Sequence, residues 1–92
     1  MNIPEVWISF GMFLHQDFIS MYPDFFSGVI EFAQGLSPAD RYEFKAFISE
    51  IVSGDLNKKE LYELWEKSGS QLRVDNLPEM FVGIDNALKK IN

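Results

Sequence analysis

The chain has 92 residues, of which 47% are hydrophobic and 15% aromatic, and its formal net charge is −6. This length allows one domain, and this apolar content separates the chain from intrinsically disordered proteins. The absence of cysteine excludes disulfides, thiolate metal sites and a cysteine nucleophile. An acidic chain without a basic patch is also a poor nucleic-acid binder, because contacts to phosphates supply most of that affinity.

The apolar residues of the first third of the chain recur at helical spacing. The pattern predicts a first helix from about Pro4 onward, with a strand over residues 6–10 as the alternative, because Gly11 costs about 1 kcal/mol inside a helix. A second helix is predicted to follow, with Pro23 in its first turn and its end near Gly35.

The third and fourth helices carry clear start and stop signals. Ser37 is a suitable cap and Pro38 suits the first position of the third helix, which Gly54 ends. Asn57 and Glu60 have the spacing of a capping box at the start of the fourth helix.

The fifth helix is predicted after a polar loop over residues 70–77. Pro78 begins this helix, and Lys89 and Lys90 lie near its C-terminal end, where the helix dipole favours cations. The whole pattern predicts an all-α fold, a compact single-domain bundle of about five short helices over residues 1–92.

Few residues offer catalytic chemistry. The chain has no Gly-rich phosphate loop, no nucleophile elbow and no helical pair of histidines, and His15 is its one histidine. We therefore expect no enzyme, no catalytic residue, no metal and no cofactor. The N-terminus lacks a basic n-region, and no apolar run approaches the roughly 18 residues of a membrane span. We expect a cytoplasmic protein that binds neither membranes nor nucleic acid.

The acidic residues are distributed unevenly along the chain. Residues 1–40 contain five Asp or Glu side chains and no Lys or Arg, whereas residues 41–92 contain nine acids and eight bases. A region of one sign favours a basic partner, because its field steers cations. The alternative is an acidic surface that serves solubility alone.

The second and third helices are the expected partner-binding region. Asp24 and Glu31 are seven residues apart and so lie on one side of the second helix, and Asp40 and Glu43 lie near the start of the third. Tyr42 is added because tyrosine tolerates a wet edge and is frequent at binding hot spots.

A second group of residues carries a family resemblance. Trp7, the segment Leu14-His15-Gln16-Asp17-Phe18 and an acidic helical remainder ending in an amphipathic helix over residues 78–91 follow in order. This arrangement resembles the small immunity proteins of contact-dependent growth inhibition (CdiI-type) systems with a His-Gln-Asp motif. Trp7, His15, Gln16 and Asp17 take the motif positions, and we expect them to hold the fold.

The resemblance implies a compact helical protein that binds the C-terminal toxin domain of a large secreted protein and holds it inactive in the cytoplasm. Toxins of this family are often nucleases, whose working surface is basic. We therefore predict a stoichiometric toxin inhibitor whose toxin-binding residues are Asp24, Glu31, Asp40, Tyr42 and Glu43. The alternative is a non-enzymatic helical adaptor or regulatory module that binds its partner through an apolar groove.

Overall fold

The computed structural model describes residues 2–14, 21–22, 24–70, 72 and 74–91. These residues form helices and no strand. The helices are α1 (Glu5–Phe13), α2 (Phe25–Gln34), α3 (Pro38–Ser53), α4 (Lys58–Lys67) and α5 (Leu77–Leu88). The predicted all-α fold is confirmed, and residues 6–10 belong to a helix rather than a strand. The radius of gyration is 12.2 Å, which matches the roughly 12 Å of a compact domain of this length.

The starts of α2 and α3 are fixed by side-chain caps. The Asp24 carboxylate accepts a hydrogen bond from the Ser27 backbone N–H at 3.2 Å, so α2 begins just after Asp24. Pro23, predicted in the first turn, lies outside the described residues. The Ser37 hydroxyl accepts from the Asp40 N–H at 3.2 Å, which confirms the predicted cap of α3.

The later helix boundaries follow the same rules. Asn57 and Glu60 form the predicted capping box, with the Glu60 N–H donating to Asn57 Oδ1 at 2.8 Å and the Asn57 N–H donating to Glu60 Oε1 at 3.1 Å. Gly69, just after α4, has φ +77°, a backbone conformation that glycine adopts without strain. The N-cap of α5 is Asn76, and Pro78 lies in its first turn as predicted.

Trp7 lies at the centre of the core. Its side chain is fully buried, and its indole Nε1 donates to the Leu64 carbonyl of α4 at 2.8 Å. Its ring lies 5.5 Å from Phe47 of α3 and 5.7 Å from Phe81 of α5, measured between centroids. One side chain of α1 therefore contacts three other helices.

Gly11 explains how α1 approaches the end of α4. A Cβ at position 11 would overlap the Ser68 carbonyl oxygen. Only a residue without a side chain fits there. The glycine that weakens the helical pattern in the sequence is thus what allows α1 to pack.

Arg41 fixes the turn between α2 and α3. Its Nε donates to the Ala33 carbonyl at 2.9 Å, and its Nη2 donates to the Gln34 and Leu36 carbonyls at 3.0 and 3.2 Å. These bonds satisfy carbonyls at the end of α2 that have no partner within the helix. They hold the start of α3, and with it Asp40, in a defined place.

Candidate partner-binding surface

A depression of about 350 Å³ lies where the start of α1 meets the first turns of α3. Its carboxylates come from Glu5 of α1 and from Asp40 and Glu43 of α3, and all three side chains are exposed. The structure therefore brings together two of the predicted toxin-binding acids and adds a third acid from a separate helix.

A neighbouring depression of about 450 Å³ continues this region along α3. It shares Glu43 with the first and adds Tyr42 and Glu50. Tyr42 is 77% exposed. We call the residues Glu5, Asp40, Tyr42, Glu43 and Glu50 the acidic face.

Among the described residues, no Lys or Arg forms a salt bridge with a carboxylate of the acidic face. The one salt bridge between described residues joins Lys89 Nζ to Asp85 Oδ2 at 3.0 Å. It lies in α5 and the residue after it, within the half of the sequence that mixes both charges. The exposed carboxylates of the acidic face are therefore available to a partner.

Two of the predicted toxin-binding residues lie apart from the depressions that form the acidic face and have local roles. Asp24 caps α2 and also accepts from the Ser27 hydroxyl at 3.2 Å. Glu31 accepts a hydrogen bond from Tyr22, and this bond raises the pKa of the Tyr22 hydroxyl above its usual value of 10.0. Both carboxylates are exposed, so the prediction that they touch a partner is untested.

Only part of the motif segment lies among the described residues. Trp7 is in the core, and Leu14, which precedes the motif histidine, is fully buried. His15, Gln16 and Asp17 lie outside the described residues, so the prediction that they hold the fold stays a prediction.

Sequence reasoning missed Glu5 and Glu50 as members of the acidic face. Glu50 is seven residues after Glu43, and this spacing on one helix was a usable signal. Glu5 had no such signal, because its position beside Asp40 depends on how α1 packs against α3.

A groove on the other side of α3 has a different character. It has a volume of about 670 Å³ and runs between α3 and α5, with Leu88 as an apolar element. Its walls contain Arg41 and Lys45, and also Lys89 and Asp85, which form the salt bridge described above. The outer face of α3 therefore separates an acidic region from one that is rich in cations.

The acidic face has the charge to bind a basic partner. Grouped carboxylates attract Lys and Arg side chains. Among the described residues, no three His, Cys, Asp or Glu side chains are grouped to hold a metal ion. In the same part of the chain, no helix has the length and apolar character needed to cross a membrane.

The chain was compared with protein-family models, with curated proteins and with solved structures, and nothing matched.

Proposed function

We propose that this protein is an immunity protein, which binds the toxin domain of a contact-dependent growth inhibition system and keeps it inactive. The toxin would be a basic nuclease, and the inhibitor would act by stoichiometric binding without turnover. The observation that carries the proposal is the acidic face, in which exposed carboxylates from α1 and α3 surround an exposed tyrosine.

The charge of this face suits a nuclease partner. A nuclease binds a polyanion, so its substrate surface is positively charged, and an anionic protein can occupy that surface and exclude RNA or DNA. Complementary charge raises association rates toward about 10⁸ M⁻¹s⁻¹ at low salt, and close charge pairs at such interfaces couple by about 1.5–7 kcal/mol.

Tyr42 can supply the slow dissociation that charge alone does not provide. Charge pairs at the rim of an interface act mainly on the association rate, whereas a desolvated aromatic side chain slows dissociation. Tyr42 lies next to Glu43 and reaches solvent over 77% of its surface, so it can be buried by a partner without rearrangement of the core.

Co-expression tests the proposal. The proposal predicts that the gene directly upstream encodes a large secreted protein, and the C-terminal domain of that protein is the partner to use. We expect cells that produce this domain to survive when the chain is co-expressed, and to die when the chain is replaced by an immunity protein from another system. Toxicity that the chain leaves unchanged would contradict the proposal.

Salt dependence distinguishes the inhibitor from an adaptor. Binding through the acidic face weakens steeply when salt is raised, because exposed charges are screened beyond about 8–10 Å at physiological ionic strength. An adaptor that binds its partner through an apolar groove would bind with little salt dependence. Affinity measured at low and high salt separates the two.

A further inference from the structure

Exposed residues recur along the outer face of α3 at the spacing that paired helices use for their contacts. Five exposed residues follow one another at alternating steps of three and four. They are Ala39, Tyr42, Ala46, Ser49 and Ser53. This alternation places residues on one stripe of a helix and is the spacing of positions a and d in a coiled coil. No described element covers Tyr42, although aromatic side chains at such positions are normally packed.

The charges beside this seam occupy the positions that set pairing. With Ala39 and Ala46 at a and Tyr42 at d, Glu43 and Glu50 fall at e, and Lys45 falls at g. Positions e and g form the salt bridges between paired helices and determine their orientation. One edge of the seam therefore carries two carboxylates, and the other carries the ammonium group of Lys45.

The shape of the surface leaves the seam accessible. Tyr42 and Ala46 line both the 670 Å³ groove on the basic side and the 450 Å³ depression on the acidic side. The seam is thus a ridge between two hollows, and paired helices pack by placing the ridges of one into the grooves of the other.

We infer that this seam binds the α3 of a second copy of the chain, with the two helices parallel. In a parallel pair, position g of one helix lies opposite position e of the next heptad in the other. Lys45 then meets Glu50 of the second copy, five residues further along, and two-fold symmetry forms this pair twice. Tyr42 from each copy packs at the centre.

The charge pattern selects the orientation. An antiparallel pair would place e opposite e and g opposite g, so Glu43 and Glu50 would face carboxylates of the second copy. The parallel arrangement alone opposes unlike charges. The seam requires a partner that places a cation opposite its carboxylates and carboxylates opposite its lysine. A second copy of α3 meets this requirement.

Lys45 is already held at the edge of the seam. Its Nζ donates to the Ile91 carbonyl at 2.8 Å, which fixes the side chain beside the groove, and an ammonium group has three donors. The lysine can therefore keep this bond and still pair with a carboxylate of the second copy.

The inference goes beyond the proposed function and does not depend on it. Tyr42 and Glu43 belong both to the seam and to the acidic face, so a second copy and a toxin would compete for them. The dimer can be measured without any toxin, so its failure and the failure of the proposed function are separate results.

Sedimentation equilibrium of the purified chain tests the dimer, with charge reversals at the predicted pair. Lys45→Glu and Glu50→Lys should each raise the dimer dissociation constant by about tenfold or more, because each turns two attractions into repulsions. The double variant K45E/E50K should restore the dimer, since it re-forms both pairs with the signs exchanged. An equimolar mixture of the two single variants should form a heterodimer for the same reason.

The double variant also controls for a local effect. K45E loses the bond to the Ile91 carbonyl, which could disturb the C-terminal end of the chain, but the double variant lacks this bond too and is still expected to dimerise. Tyr42→Asp should give a monomer, whereas Tyr62→Asp, at an exposed tyrosine of α4, should not. A wild-type chain that stays monomeric at about 100 μM would overturn the inference. Single variants that dimerise like the wild type would overturn it as well.

Discussion

The surroundings of Trp7 and the outer face of α3 represent two extremes of this small protein. Around Trp7, aromatic rings from different helices lie within 6.0 Å of it, and its one polar atom is hydrogen-bonded. On the outer face of α3, Tyr42 is 77% exposed, and the carboxylates beside it form no salt bridge with a described residue. Both regions contain large or charged side chains, but only those around Trp7 pack together in the core.

The difference indicates where function lies. Within the described residues, no buried side-chain nitrogen or oxygen lacks a hydrogen-bond partner. The polar side chains of the interior therefore need no partner from another molecule. The acidic face contains groups whose removal should cost the fold little. Substitutions around Trp7 are expected to change stability, and substitutions on the acidic face are expected to change binding.

The largest effect is expected at Trp7. Trp7→Ala should lower the free energy of unfolding by about 3–5 kcal/mol, because it leaves a cavity and an unpaired Leu64 carbonyl. Chemical denaturation followed by circular dichroism measures this loss. Tyr42→Ala is the matched comparison on the outer face and should change stability by less than about 0.5 kcal/mol.

A smaller but sharp effect is expected at Gly11. Gly11→Ala should destabilise by about 1–3 kcal/mol, since the new methyl group would overlap the Ser68 carbonyl. Gly35→Ala is the control, because a Cβ there meets its nearest atom at an ordinary 3.5 Å. It should be neutral or stabilising by up to about 1 kcal/mol. Equal losses at both positions would argue against the close contact between α1 and α4.

Asn57 tests whether an exposed side chain can belong to the fold. Asn57→Ala removes the capping box of α4 and should cost about 1 kcal/mol. Asn57→Ser keeps a capping oxygen and should cost much less. Neither change should alter toxin binding, and a loss of binding with either would extend the functional surface to α4.

The smallest effect is expected at Tyr22. The bond to Glu31 and the charge of its carboxylate raise the Tyr22 pKa, so the neutral hydroxyl is favoured in the folded state. This stabilisation is fully present below pH 10 and disappears as pH rises through the folded-state pKa. Glu31→Gln should lower that pKa toward its usual value. Absorbance titration near 295 nm, with Tyr42 and Tyr62 changed to Phe, measures it, and an unchanged titration would contradict the contact.

Local features of the fold could be predicted from the sequence. The Ser37 cap and the Asn57–Glu60 capping box depend on residues three apart, and the structure contains both. The preference of proline for a first helical turn predicts that Pro23 lies inside the second helix, whereas α2 begins at Phe25 with Asp24 as its cap. A single side chain can serve both as a surface charge and as a cap, and spacing alone does not separate the two.

Features that depend on packing could not be predicted. The sequence gives no indication that Gly11 meets the Ser68 carbonyl or that Glu5 joins Asp40 and Glu43, since each pair is brought together by helices distant in sequence. The uneven charge of the chain predicts a partner-binding region on α2 and α3, and the structure groups Asp40 and Glu43 of α3 with Glu5 of α1. The charge pattern did not show that Asp24 and Glu31 lie outside the depressions there.

The affinity of the toxin domain for a charge-reversed chain tests the central claim most directly. The variant is E5K/E43K, and its control is E63K/E66K, which changes two exposed acids of α4 and the net charge equally. At 150 mM salt we predict that E5K/E43K binds the upstream-encoded toxin domain at least about tenfold more weakly than the wild type. The control should bind like the wild type. Undiminished binding by E5K/E43K, or equal losses in both variants, would contradict the account.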